Sequence, residues 1–365
     1  MAQFGGYGGY GGYGGYGGYG GYGGYASANS LADGNANMLV TSALIASRDA
    51  TANPAAPPTA KSYPAIGGAT ELDRWEPWVR AHLFQWELIR GIKVEVATQS
   101  ATAYLDIDGT PSTSLKRPTK EFFENQTCLV MSWADLRMER TPEILAQIDS
   151  QFAFVAAVTG LHPERHRWTM ELLVNAIQFT VLIEMQFKHA LACWRPHQLS
   201  AQIQPMLTTP GHGSFPSGHA TQAFMLAKLM SMLLGLQSTS QVAIQLQRQA
   251  ARIATNRVVA GVHFPIDSIA GRLLGHTLAE YLMARMDNKY RGALKNRVLN
   301  TDVLNDDVGA EMDLDLGIDI DSFAGTAGVD AICVTEGPEM VGPPCVLWAS
   351  LYERGEAERA RLSTM

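Results

Sequence analysis

The chain has 365 residues, of which 46% are hydrophobic and 17% are charged, and its net charge at pH 7 is −7. A chain of this length can bury a large apolar core, and its acidic balance gives no electrostatic basis for binding nucleic acid. Its four cysteines have no metal-ligand spacing, and in so long a chain they do not define a disulfide framework.

The N-terminal region has the composition of an unfolded segment. Residues 5–25 are seven consecutive Gly-Gly-Tyr units, which lose much backbone entropy on folding and have only tyrosine to bury. We predict that residues 1–26 form a disordered low-complexity tail; the alternative is a segment whose tyrosines self-associate. Residues 27–68, rich in Ala, Ser, Asn and Pro, predict a disordered linker. We find no secretory signal, so the default location is cytoplasmic, with export by another route left open.

Amphipathic patterns typical of helices begin near Thr70, and we expect an all-α domain over residues 69–296. One stripe at helical spacing is predicted to be core; it consists of Trp75, Trp78, Leu83, Trp86 and Ile89. Polar residues such as Glu171, Gln178 and Glu184 interrupt the most apolar stretch, so we expect no membrane span and a soluble protein. Residues 297–365 are predicted to form an acidic, solvated C-terminal extension.

The first motif candidate is Lys188 followed, seven residues later, by Arg195-Pro196. Residues 164–194 have the periodicity of one long helix, which Pro196 would end. Two helical turns separate Lys188 from Arg195, so both cations are predicted to project from one helix face into one site. By itself the pair is also compatible with a solvated basic face.

The second candidate is Pro216-Ser217-Gly218-His219, which lies between a glycine-rich approach and an apolar helical pattern. Ser217 is expected to cap that helix, where free N–H groups attract an anion, and Gly218 allows the anion to approach the backbone closely. His219 would lie beside the anion as a proton donor. A capped helix with a surface histidine is the alternative.

The third candidate is Arg257, His263 and Asp267. Pro265 suits the first position of a new helix, and Asp267 in the first turn can reach back to His263. A carboxylate on one imidazole nitrogen leaves a lone pair on the other, as a nucleophile or metal ligand needs. A local side-chain hydrogen bond is the alternative, but the presence of all three motifs in this order favours one oxyanion site.

Together these motifs resemble those of the type 2 phosphatidic acid phosphatase and vanadium-dependent haloperoxidase superfamily, from Lys188 to about Gly275. The resemblance implies a helical bundle. It also implies an oxyanion site formed by Lys188, Arg195, Ser217, Gly218 and Arg257. In it His219 would be the general acid and base, His263 would attack phosphorus or bind vanadium, and Asp267 would orient His263.

The resemblance leaves two chemistries open. Proline in the third motif, at Pro265, favours a phosphoester hydrolase that needs no cofactor and forms a phosphohistidine. His212, five residues before Ser217, resembles the halide-side position of bromoperoxidases; it favours a haloperoxidase that uses vanadate, hydrogen peroxide and a halide, bromide in preference. We favour the hydrolase. A non-catalytic oxyanion binder and an assembly protein based on the tyrosine repeat are further alternatives.

Overall fold

The structure, a computed structural model, describes residues 38–52, 62–149, 151–292, 294–303, 332–337, 339–340 and 345–362. The helices in these ranges are α1 Met38–Thr51, α2 Pro77–Ile89, α3 Lys120–Trp133, α4 Arg137–Asp149, α5 Phe152–Thr159, α6 Arg167–Leu191, α7 Pro196–Leu199, α8 Gly218–Leu233, α9 Gln241–Val259, α10 Pro265–Met286, α11 Val346–Arg354 and α12 Glu356–Leu362. The strands are β1 Ile92–Ala97, β2 Thr102–Ile107, β3 Thr110–Lys116, β4 Lys295–Leu299 and β5 Ile332–Glu336.

The five strands form one sheet in the order β1-β2-β3-β4-β5, so the all-α prediction is wrong and the fold is mixed α/β. All neighbouring strands are antiparallel except β3 and β4, which are parallel. The sequence contains a signal for this sheet, because Ala103, Leu105 and Ile107 alternate with less buried residues along β2. Asp108 and Gly109, both with positive φ (51° and 84°), form the tight turn to β3.

The core of the molecule surrounds α10, in which every residue except Arg272 is buried. A helix that is buried on all sides must be covered by other elements. Helices α6, α8 and α9, the sheet, and α11 pack against it. The ends of these central helices therefore meet inside the protein, and the three motifs lie at those ends.

The tryptophan stripe of α2 does not form core, contrary to our prediction. Trp78 and Trp86 are 47% and 66% exposed, and Trp75 and Ile89 are exposed as well, whereas Leu83 is half-buried. The buried face instead carries Pro77, Arg80, Ala81, Phe84 and Leu88. Arg80 donates through Nε and Nη2 to both carboxylate oxygens of Glu171 on α6. Rotating α2 would break this buried ion pair, which would be strongly destabilising. The pair therefore fixes which face of α2 lies inward.

One described stretch, Arg167–Leu199, is long and apolar enough to cross a membrane by length and composition, which the sequence did not lead us to expect. Within it, 72% of the apolar window is buried inside the protein. These apolar residues therefore pack against other parts of the protein. Solubility and a cytoplasmic location remain predictions.

The two ends of the chain can be compared with the predicted tail, linker and C-terminal extension. Helix α1, Met38–Thr51, lies within the predicted linker, and the predicted tail, residues 1–26, lies outside the described residues. Within the predicted extension, β5, α11 and α12 pack on the fold, and the buried Trp348 donates through Nε1 to the carbonyl of Leu282 at 3.2 Å. The aspartate-rich residues 306–321 also lie outside the described residues. The domain boundaries remain predictions.

A buried ion pair joins the sheet to α10. Arg297 on β4 donates through Nη1 and Nη2 to the two carboxylate oxygens of Glu280, at 2.8 and 2.7 Å. The exposed fractions of the two side chains are 0% and 3%. Because Thr113 on β3 also accepts a hydrogen bond from the Arg297 N–H at 3.2 Å, this contact fixes the parallel strand pair against the central helix.

We predict that Arg297→Leu lowers the free energy of unfolding by about 3–5 kcal/mol, because it leaves the Glu280 carboxylate buried without its arginine. Urea unfolding measures this change. The control is Lys295→Ala on the same strand, whose side chain pairs with the exposed Glu336 and should contribute about 1 kcal/mol or less. Equal losses in both variants would contradict the assigned role of the pair.

Candidate active site

Lys188 lies near the end of α6, buried against the loop that leads into α8. Its Nζ donates to the carbonyl oxygens of Gly213 at 3.1 Å, of Ser214 at 2.9 Å, and of Pro216. These three acceptors replace the water that the ammonium loses on burial. The positive charge of Lys188 is thereby fixed next to the second motif.

Arg195 does not project from α6, so the prediction of two cations on one helix face is wrong. Ala192 adopts the left-handed conformation (φ 48°) and ends the helix, and Arg195 is extended where α7 begins. Its Nε donates to the carbonyl of His212 at 3.1 Å and its Nη1 to that of Val262 at 2.9 Å. Arg195 thus connects the loops of the second and third motifs, and its guanidinium still reaches the region of Lys188.

Ser217 caps α8, as predicted, and its Oγ accepts a hydrogen bond from the N–H of Ala220 at 3.4 Å. The N–H of Ser217 donates to the carbonyl of Asp267 at 2.8 Å, which joins the second motif to the third. Gly218 follows as the first residue of α8. A Cβ at this position would lie 2.7 Å from Oε1 of Glu184, so glycine is the residue that fits here without moving that carboxylate.

Arg257 and His219 meet at Gln147 of α4. Nη2 of Arg257 donates to the carbonyl of Ile144 at 3.0 Å and to Oε1 of Gln147 at 3.1 Å, and His219 makes a hydrogen bond with the Gln147 backbone. Nε of Arg257 and Nε2 of His219 are buried, and neither has a hydrogen-bond partner among the described residues. Because unpaired buried polar atoms are costly, both nitrogens are suited to an oxygen-rich ligand.

His263 and Asp267 make the predicted contact, with Nδ1 3.0 Å from Oδ2. The same carboxylate oxygen accepts a hydrogen bond from the N–H of Phe264 at 2.9 Å, and Oγ of Ser214 lies 3.5 Å from Oδ1. A carboxylate held in this way favours a proton on Nδ1 of the imidazole. The lone pair of His263 is then on Nε2.

The histidines of the site lie in an environment that opposes their protonation. Burial lowers the pKa of His263 well below its usual range, and the positive charges of Arg195 and Lys188 lower it further. Burial, followed by Arg257, has the same effect on the pKa of His219. Burial, followed by Lys188, lowers the pKa of His212 to about 4. All three imidazoles are therefore neutral near pH 7.

Glu184 is a buried residue of the site that sequence reasoning did not assign to it. Its Oε1 accepts a hydrogen bond from Nε2 of Gln222 at 3.0 Å. Burial raises the pKa of Glu184, and Lys188 opposes this rise; burial and then Arg195 lower the pKa of Lys188, and Glu184 opposes that fall. The signal in the sequence is an acidic residue one helical turn before Lys188 in an otherwise apolar helix. Gln147 was missed too, since it has no fixed spacing to any motif.

These hydrogen bonds connect all three motifs within one buried region. His212 lies in it too, with Nδ1 3.2 Å from Nη2 of Arg195. Within the described part of the chain, Lys188 and Arg195 donate mainly to main-chain carbonyls. They therefore hold the loops and supply positive charge, while Arg257 and His219 have the nitrogens without partners.

Comparison with known proteins gives a family for this segment. Residues 169–291 match a family model described as the PAP2 superfamily, which is about a third of the chain. This match confirms the superfamily resemblance that the motifs predicted for this segment. Its members are generally phosphatases or haloperoxidases. A search among curated proteins finds no match to the chain.

The position of Ser217 depends on a close approach of α8 to α10 at Gly271. A Cβ on Gly271 would lie 2.8 Å from the carbonyl oxygen of Ser217 and 2.9 Å from Cβ of Ala220. We predict that Gly271→Ala pushes the helices apart and lowers the free energy of unfolding by about 1–3 kcal/mol. Urea unfolding checks this. The control is Gly292→Ala, which adds its Cβ to open space; a loss as large there would contradict the explanation.

Proposed function

We propose that the chain is a phosphoester hydrolase of the acid-phosphatase type in which His263 is the nucleophile. The observation that most supports this is the His263–Asp267 contact of 3.0 Å in a buried, positively charged site. A neutral imidazole with its proton on Nδ1 has the lone pair that attack on phosphorus requires. No cofactor is needed for this reaction.

The proposed oxyanion site combines charge with hydrogen-bond donors. The residues assigned to it are Lys188, Arg195, Ser217, Gly218 and Arg257. Arg257 contributes its Nε, and the first turn of α8 contributes backbone N–H groups and the positive end of its dipole. The buried cations stabilise negative charge on the equatorial oxygens as phosphorus becomes five-coordinate.

In the proposed first step, Nε2 of His263 forms a bond to phosphorus while the bond from phosphorus to the ester oxygen breaks. His219 donates a proton to that oxygen, and the alcohol leaves. In the second step, His219 accepts a proton from water, whose oxygen attacks phosphorus and releases His263 and phosphate. Asp267 keeps the proton of His263 on Nδ1 throughout.

The protonation of His219 is coupled to the binding of substrate in this scheme. Without substrate, burial and Arg257 lower its pKa. The negative charge of a bound phosphoester offsets the positive charge of Arg257 and the neighbouring cations, and so raises the pKa of His219. The general acid therefore becomes available when it is needed.

A haloperoxidase is the second candidate, and the observation that favours it is His212, whose Nδ1 lies 3.2 Å from Nη2 of Arg195. The partnerless nitrogens of Arg257 and His219 suit vanadate as well as phosphate. His263 would bind vanadium, and the residues of the proposed oxyanion site would hold its oxygens. Bound vanadate would supply the activation of peroxide for halide oxidation.

We expect the purified protein to hydrolyse p-nitrophenyl phosphate, and orthovanadate to inhibit this turnover because it mimics the five-coordinate state. His263→Ala should lower kcat by roughly 10³-fold or more, since it removes the nucleophile. His189→Ala, which removes an exposed histidine near the end of α6, should keep wild-type activity. Steady-state kinetics of the three proteins measures this.

Two results would contradict the hydrolase. One is full activity of His263→Ala, and the other is a folded wild-type protein that hydrolyses nothing. In the second case, oxidation of bromide by hydrogen peroxide after loading with vanadate would support the haloperoxidase.

The Glu184–Lys188 pair should determine the alkaline limit of activity. The charge of Glu184 raises the pKa of Lys188, so Glu184→Gln lowers that pKa and the ammonium loses its proton at a lower pH. We predict that the alkaline limb of kcat/KM moves to lower pH by roughly one unit. The pH profile of hydrolysis measures this shift. The control Glu95→Gln, at a half-buried position of β1 where the carboxylate pairs with Lys93, should leave the profile unchanged; an unmoved limb in Glu184→Gln would contradict the coupling.

A further inference from the structure

A cavity of about 450 Å³ lies beside the candidate active site. It is formed between the end of β3, the start of α3 and the segment after α6. Most of its lining residues precede residue 169 and so lie outside the segment that matches the superfamily. Its binding properties therefore belong to this chain rather than to the shared motifs.

The charged side chains that line the cavity are mainly basic: Lys116, Arg117 and Lys120, with Asp302 as the acidic one. Lys116 pairs with Asp302 and Lys120 pairs with Glu124, whose carboxylate lies 2.9 Å from its Nζ. Arg117 is exposed and has no ion-pair partner within the described part of the chain. The cavity therefore has excess positive charge, concentrated on Arg117.

The start of α3 adds to the positive potential. Thr119 caps this helix through a hydrogen bond from the N–H of Phe122 at 3.1 Å. The positive end of the helix dipole therefore lies at the cavity wall that Thr119 and Lys120 form. A negative charge on a ligand would be stabilised here by the basic side chains and the helix dipole together.

Much of the remaining wall is apolar, although Gln99 and Ser100 also line the cavity. Phe123, Trp194 and Leu199 line the cavity, together with Pro118 and Ala192. Trp194 is 55% exposed, which leaves its ring accessible to a ligand. Apolar walls with a few well-placed charged groups are typical of sites for organic molecules. Inorganic phosphate alone would not use this surface.

The cavity and the candidate active site have a wall in common. Cys193 and Trp194 line the cavity, and their carbonyl oxygens accept hydrogen bonds from the N–H and Oγ of Ser214 at 3.0 and 2.9 Å. Phe123 packs on Phe264, the neighbour of His263, with 4.8 Å between ring centroids. A ligand in the cavity would thus lie next to the residues that hold Asp267.

We propose that this cavity binds an organic anion, that is, an apolar or aromatic group with a carboxylate, sulfonate or phosphate that pairs with Arg117. Such an anion has two sources. It is either the organic part of the phosphoester substrate, in which case the inference rests on the proposed hydrolase, or a separate small molecule that binds beside the site.

The first experiment measures binding without catalysis. The probe is 8-anilinonaphthalene-1-sulfonate, titrated into the full-length protein and followed by its fluorescence. We expect Arg117→Glu to weaken binding by about fivefold or more, as loss and reversal of one ion pair imply, and Arg117→Lys to retain most of it. The charge-matched control Lys93→Glu, on the exposed side of β1, should bind as the wild type does.

Because the exposed tryptophans of α2 could also bind this probe, the titration is repeated in a Trp78→Ala, Trp86→Ala background. Binding that persists there and still depends on Arg117 supports the proposal. Binding that is lost in that background, binding that is equal in all the charge variants, or no binding at all overturns it.

The second experiment distinguishes the two sources. It compares kcat/KM for 4-carboxyphenyl phosphate with kcat/KM for phenyl phosphate. If the anion is part of the substrate, the ratio of the two values falls in Arg117→Glu by about the factor seen with the probe. If the ratio is unchanged while probe binding is lost, the ligand is a separate molecule. A protein that hydrolyses neither ester contradicts the proposed hydrolase, while the titration still decides whether the cavity binds organic anions.

Discussion

Three buried cations, Lys188, Arg195 and Arg257, impose the constraint on which the rest of the site depends. Removing a charge from water costs several kcal/mol unless other groups solvate it. Here most of these groups are main-chain carbonyls, those of residues 212–214, 216, 262 and 144. Each cation therefore determines the course of the loops around it. The motif residues position one another, which explains why they lie together although they come from four separate helices and the loops between them.

Burial and, after it, the same charges determine the protonation states within the site. Together they lower the pKa values of His219 and His263, which leaves neutral imidazoles in a region of positive potential. An oxyanion reverses this balance, because its charge offsets that of the cations. Phosphate and vanadate share this property, so the electrostatics of the site fit both. The two chemistries differ in the proton transfer that they need. In the hydrolase a general acid must give a proton to the leaving alcohol, and a histidine that becomes protonated only when the anion is bound suits this step.

The parts of the structure that the sequence predicted correctly are set by neighbouring residues. The cap at Ser217, the helix start at Pro265 and the His263–Asp267 contact each depend on a few consecutive positions.

The predictions that were wrong concern features that depend on residues far apart in sequence or on an unusual backbone conformation. Ala192 takes a left-handed conformation that its side chain does not favour. The exposed face of α2 follows from an ion pair between residues far apart in sequence, Arg80 and Glu171. Strand β4 is more than a hundred residues away from β3, so the complete sheet could not be inferred from local pattern, although the Asp-Gly turn marked the β2–β3 hairpin.

The segment after α6 links the general chemistry of the superfamily to what is particular to this chain. Cys193 and Trp194 directly precede Arg195, and they border a cavity that is formed largely by residues outside the superfamily match. Through Ser214 the same segment reaches Asp267, which orients His263. A molecule that contacts Trp194 therefore contacts a residue that is connected, through a series of hydrogen bonds, to the proposed nucleophile. Selection of the ligand and orientation of the nucleophile depend on one short stretch of backbone, so substitutions in the cavity wall should affect both together.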